Sequence, residues 1–249
     1  MNGYPAVMFI TPRKSSGFTL VEMAMVLMIV GLLLGGLVPT ISSQMENQRM
    51  GETRRQMNDI KEALTGFAVI NGRLPCPSDG TAATGSELVT GSGVAAVCTL
   101  TSANAARGVL PWATLGVSET DAWGRRFTYR ITADFADGAD GTGGTCSVAV
   151  GVSFQLCSSA NLNVKATSGG SDVATAVPAV VVSHGKNGLG AYPAGGGAQI
   201  AAVTADESEN ADDNNTFVSK ENSSDFDDLV VWLSPNILAN RMVTAGRLP

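Results

Sequence analysis

Residues 15–38 read SSGFTLVEMAMVLMIVGLLLGGLV, and their reading decides what kind of chain this is. The 21 residues from Phe18 to Val38 hold one charge, Glu22. About 20 apolar residues in a helix span the hydrocarbon core of a bilayer. A carboxylate inside such a span costs several kcal/mol unless a partner meets it, so Glu22 asks for a partner. The residues before the run carry Arg13 and Lys14 and no acid. Positive charge on that side keeps the leader cytoplasmic and puts the chain beyond Val38 outside the cytoplasm. A secretory signal peptide has its cleavage site after the apolar stretch. Here the small polar stretch Ser15-Ser16-Gly17 precedes it, so a cut there leaves the apolar helix on the mature chain.

The string Gly17-Phe18-Thr19-Leu20-Val21-Glu22, followed by Gly31 and by Pro39 at the end of the run, resembles the N-terminus of type IV prepilins and type II secretion pseudopilins. The resemblance implies that a prepilin peptidase cuts after Gly17 and N-methylates Phe18. It also implies that Glu22 meets the free amine of Phe18 on a neighbouring subunit. Two charges buried in an apolar filament core are costly alone and tolerable when paired, so such a pair favours one stagger. Pro39 lacks an amide hydrogen. It introduces a kink or local unwinding between Gly35 and Pro39, or simply marks the membrane exit.

Residues 41–71 continue as a helix of a different kind. Met50, Met57, Ile60, Leu64 and Phe67 recur at helical spacing, Arg54, Arg55, Asp59, Lys61 and Glu62 fill other faces, and Asn71-Gly72 supplies a stop. A helix from Phe18 to about Ile70 would be roughly 80 Å long, apolar in its first half and amphipathic in its second. Gly51 is a place for a bend. The expected organisation is a leader (1–17), a membrane or filament-core helix (18–39), an amphipathic half-helix (40–71) and an exported globular head (72–249).

From Gly72 onward there are 10 basic and 17 acidic residues, a net −7, which argues against a nucleic-acid-binding head. A local basic patch at Arg125, Arg126 and Arg130 remains. Strand-like runs occur at 127–131, 147–156, 177–183 and 229–233, separated by Gly- and Asp-rich turns. The expected fold is α+β, a pilin-like arrangement with a long N-terminal helix packed against a small antiparallel sheet. Leu110-Pro111-Trp112 and Asp121-Ala122-Trp123-Gly124, running on to Tyr129, look like the segment that enters the sheet in major pseudopilins. Their aromatics read as core.

Cys76, Cys98, Cys146 and Cys157 all lie on the exported side, an even number without a CxxC, which favours disulfides over metal. Cys76–Cys98 would close the loop after the helix. Cys146–Cys157 needs the chain to reverse, with Gly151 as the turn, because a straight strand would separate them by about 36 Å. A cross-pairing with Cys98 stays open. Between Asp206 and Asp228 there are nine acids and one base, Lys220. Such a loop is a candidate calcium site, with Asp206, Glu209, Asp212, Asp213, Asp225 and Asp227 as ligands, or else a solvated acidic surface. The resemblance adds that major pseudopilins carry calcium in a C-terminal loop, and that the Gly-rich stretch 183–197 looks similar. Asp134–Gly141 is a weaker acidic turn. His184, the only histidine, reads as a surface turn, and no catalytic constellation is present.

These readings describe a filament subunit and not an enzyme. It enters the inner membrane with a periplasmic head, is processed by prepilin peptidase, and is drawn by an inner-membrane assembly platform into a periplasmic or cell-surface filament of identical or related pilin subunits. Major pilin, minor pilin and pseudopilin are all compatible with the residues. The rivals are a membrane-anchored periplasmic binding module and a DNA-uptake pilus subunit.

Overall fold

A 52-residue helix, α1 (Leu20–Asn71), leads the chain. This computed structural model describes residues 17–91, 95–99, 101–102, 105–136, 138, 146 and 151–248, except the side chains of 36–40, 101–102 and 105–106. The leader with Arg13 and Lys14 lies outside them. The chain divides into two units, 1–47 and 48–249, described separately below.

In the first unit α1 begins with a capping box. The Thr19 amide and hydroxyl both donate to Glu22 Oε2 at 3.0 Å, and the Glu22 amide donates to Thr19 Oγ1 at 3.3 Å. Side chain and backbone thereby satisfy each other's open donors at the helix start. The helix continues through Pro39 without the local unwinding that the sequence allowed.

In the second unit the expected stripe is inward-facing. Met57, Ile60 and Leu64 are buried together with Ala68, while Phe67 is half-buried. Each such aliphatic side chain contributes about 1.5–3 kcal/mol on burial. The helix ends at Asn71, and Gly72 at φ +73° donates its amide to Ala68 O at 2.8 Å. A Cβ at Gly72 would stand 1.9 Å from Gly151 O, so the stop is glycine for two reasons, backbone conformation and space. Arg247 reaches back to this last turn, donating Nε to Val69 O at 2.6 Å and Nη2 to Ile70 O.

The strands are β1 (Val89–Thr90), β2 (Val97–Cys98), β3 (Thr101–Ser102), β4 (Ala105–Val109), β5 (Arg125–Arg126), β6 (Thr128–Thr132), β7 (Leu162–Lys165), β8 (Asp172–Val177), β9 (Ala179–Ser183), β10 (Tyr192–Pro193), β11 (Thr216–Val218) and β12 (Leu229–Trp232). Among the described residues, three α-helices follow α1: α2 (Trp112–Leu115), α3 (Ala205–Ala211) and α4 (Pro235–Thr244). The main sheet has the order β12-β9-β6-β4-β3, antiparallel throughout. A second sheet, β11-β7-β8, contains one parallel pair, β11 with β7.

Side-chain alternation explains the layering. Tyr129, Ile131, Ala179, Val181, Leu229 and Val231 join the cluster that holds Met57, Ile60 and Leu64. Their neighbours Val180, Val182, Val230 and Trp232 pack instead with Leu162, Val164 and Phe217. The α+β expectation holds, with a correction: there are two main sheets where one was expected. The reason is legible in β9, whose Ala-Val-Val-Val run is apolar on both faces and must be covered on both. A second correction concerns 147–156. Its described part, 151–156, is not a strand; Gly151 at φ +105° turns the chain.

Candidate functional site

The processing segment is open. Nothing lies within 4 Å of where a Cβ at Gly17 would be, and its φ is not in the left-handed region, so the fold itself does not demand glycine there. Phe18 is 82% exposed, and every residue from Gly17 to Gly35 is exposed. That stretch presents a run of Leu, Val, Met and Ile with nothing against it. Among the described residues, no helix is long and apolar enough to cross a membrane. The part of the run with described side chains ends at Gly35, about 22 Å from Leu20 at 1.5 Å per residue. The expected span reached Val38 through residues 36–38, whose side chains lie outside the described ones.

The acidic segment is sorted by α3. Asp206 accepts from Lys220 Nζ at 2.5 Å and from the Ser168 amide at 2.7 Å. Glu209 and Asp212 both accept from Asn214 Nδ2, at 2.6 and 2.8 Å. Asp213 pairs with Arg107, and Asp225 is exposed. Of the six expected ligands, only Asp227 joins a carboxylate cluster, and its companions are Glu207 and Asp228, with oxygens all within 4.8 Å of one another.

In that cluster Asp227 Oδ2 accepts the Asn187 amide at 2.9 Å, and Asp228 Oδ2 accepts Asn210 Nδ2 at 2.8 Å. The Oδ1 atoms of both aspartates are buried without a hydrogen-bond partner. Burial, reinforced by the Asp228 and Glu207 charges, raises the Asp227 pKa. One oxygen from each of three carboxylates converges here, and hard oxygens of this kind fit a calcium-like cation, which takes six to eight of them. Helical spacing explains the sorting. Glu207 and Asn210, three apart on α3, face inward and are buried, while Asp206, Glu209 and Asp212 face other directions. That inward spacing was the signal available in the sequence for Glu207.

Asp206 is thus an ion-pair partner. Its bond to Lys220 lowers its pKa. A depressed folded-state pKa gives stability that is present above the unfolded carboxylate value and is lost as pH falls through the folded one. Asp206→Asn is expected to lower the denaturation midpoint at pH 7 by the equivalent of about 0.5–1 kcal/mol. The two proteins should converge in strong acid, and chelator should leave their difference unchanged.

Two expectations are corrected. His184 is not at the surface: it is fully buried, its Nε2 2.8 Å from Thr128 Oγ1 and its Nδ1 3.6 Å from Asp228 Oδ1. The glycine-rich loop around it folds inward because Gly190 packs against the imidazole, leaving no room for a Cβ. Nor do Arg125, Arg126 and Arg130 form a basic surface. Arg126 and Arg130 are buried, and Arg126 is consumed by Glu119 and by the carbonyls of Gly80 and Ala82. Of the aromatics expected in the core, Phe127 and Tyr129 are fully buried, Trp123 is half-buried against the core, and Trp112 is half-buried outside it. Asp121 organises their approach by accepting the amides of Trp123 and Arg125, both at 3.0 Å. Of the acidic turn 134–141, residues 137 and 139–141 lie outside the described residues.

Cys76 is bonded to Cys98 and Cys146 to Cys157, with Cα–Cα distances of 5.3 and 6.0 Å. The open cross-pairing with Cys98 is thereby closed.

None of the curated proteins and none of the solved structures compared with the chain matches it. Residues 12–38 match the family described as the prokaryotic N-terminal methylation motif, and the chain therefore carries the prepilin-type cleavage and methylation segment.

Proposed function

We propose that the chain is the precursor of a pilus or pseudopilus subunit, cut after Gly17, methylated at Phe18 and assembled through its apolar helix into a filament. The observation that carries the reading is the exposed run from Phe18 to Gly35 directly behind the cleavage segment. Large contiguous apolar surfaces are not left in water. Bilayer lipid before assembly and neighbouring helices afterwards would cover this one, with residues up to Val38 completing the span. Glu22 suits both states. Its described cap bonds use Oε2 alone, so Oε1 is available to the methylated amine of Phe18 on a neighbour. Mass spectrometry of membrane-fraction protein should find a mature chain beginning at N-methylated Phe18. A chain still beginning at Met1 would overturn the reading.

Glu207, Asp227 and Asp228 would hold a calcium ion that ties α3 to the start of β12. Calcium at a hundred times its Kd is expected to stabilise the full-length protein by about 2.7 kcal/mol, read as a denaturation midpoint that chelator reverses. Asp228→Asn should abolish the shift. A midpoint indifferent to calcium and chelator would exclude the site.

A further inference from the structure

Arg107 and Arg130 stand directly opposite each other on β4 and β6. Like charges in that relation are destabilising. Arg130 makes matters worse by being 1% exposed. Its Nη2 donates to Asp213 O and, at 3.0 Å, to Asn215 Oδ1. Its Nε and Nη1 are buried and have no hydrogen-bond partner. A buried donor left unmade is destabilising, and more so when charged. Desolvation, aided by the Arg107 charge, pushes the Arg130 pKa down to about 10, so it is still a cation at neutral pH. One of the two guanidiniums has a counter-ion: Arg107 pairs with Asp213.

These two arginines line a cavity of about 90 Å³ together with Thr128, Tyr192, Gln199 and Asp212. A single water occupies some 10–15 Å³ on this measure, so a group of four or five heavy atoms fits. Gly80 and Gly108 lie in the same wall, and the Tyr192 ring packs against Gly80. A guanidinium presents its N–H groups as a planar fork that matches two oxygens of a carboxylate or phosphate. Nε–H and Nη1–H lie on different edges of the guanidinium, so an anion seated here would meet one of the open donors of Arg130 and screen it from Arg107. The adverse neighbour, Asp212, is exposed and engaged with Asn214.

We propose that this cavity is a binding site for a small oxyanion, inorganic phosphate or a short carboxylate such as acetate, gripped by Arg130 and drawn in by Arg107. The site is separate from the processing segment and from the carboxylate cluster, and it does not depend on filament assembly.

The test is calorimetric titration of the full-length protein in detergent with sodium phosphate and with sodium acetate, against sodium chloride at matched ionic strength. Saturable one-site binding of phosphate, acetate or both is expected, with chloride giving none. The preference between them reports whether the site is shaped for a tetrahedral or a planar ion. Arg107→Gln, at a half-exposed position, should weaken the binding at least tenfold. Arg130→Lys keeps the charge but loses the fork and should abolish it. If Arg130→Lys does not fold, Arg107→Gln decides alone. Phosphate and acetate that behave like chloride, or an Arg107→Gln protein that binds as tightly as wild type, would overturn the proposal.

Discussion

Glu22→Ala is expected to leave the head's denaturation midpoint unchanged and to lower the assembled fraction at least tenfold. The described bonds of its side chain are to Thr19, at the helix start. In the proposed filament it neutralises a buried amine, and leaving either charge unpaired costs several kcal/mol, well beyond the roughly 1.4 kcal/mol that makes a tenfold difference. Alanine also removes the capping box, worth about 1 kcal/mol, so a loss of assembly could come from a frayed helix start. Glu22→Gln separates the two causes. Glutamine can still reach back to the Thr19 amide but carries no charge. If charge pairing is what matters, the glutamine protein assembles as poorly as the alanine one. Normal filaments from Glu22→Gln would sink the pairing and leave only the cap.

Arg126→Met is expected to destabilise the head by about 3–5 kcal/mol, measured by chemical denaturation of the full-length chain. The guanidinium is fully buried. It donates twice to Glu119 Oε1, at 2.9 and 2.8 Å, and through Nη1 to Gly80 O at 2.9 Å and Ala82 O at 2.6 Å. Its Cζ lies 4.5 Å from the Trp112 ring centroid. Methionine fills much of the volume but supplies no donor, so the carbonyls that shape the 80–82 loop lose their partner. Arg126→Lys should recover only part of the loss, because an ammonium cannot serve a carboxylate and two carbonyls in one plane. A loss below about 1 kcal/mol for methionine would mean that the loop is held by something else.

How far the sequence foretold this differs from element to element. The Met57–Ile60–Leu64 stripe, the strands at β6, β9 and β12 and the Asn71-Gly72 stop were readable, because period and turn chemistry act locally. The described part of the strand expected over 147–156, residues 151–156, is not a strand, because the bridge from Cys146 to Cys157 and the turn at Gly151 outweigh local β-propensity. The inward course of the His184 loop depends on Asp228 and Thr128, which are 44 and 56 positions away, and no local pattern reports such distant partners. Density of charge alone points to the six expected cation ligands. Of the three that converge, Glu207 is set by which face of α3 looks inward, and Asp227 and Asp228 by the approach to β12. The arginines of β5 and β6 looked like surface because cations usually are, yet their acceptors lie on remote loops.

The clamp of Arg247 on Val69 and Ile70 joins positions 178 and 177 residues apart. Those two carbonyls belong to the end of α1, where the last acceptors find no donor within the helix and rely on outside ones. A ribosome delivers α1 long before it delivers Arg247. The final turn of the helix therefore stays unsealed throughout most of translation, and the head can close only after nearly all of it has emerged. A nascent chain stalled short of Arg247 would carry a loose joint between its rod and its half-made head, the kind of place that a protease finds first.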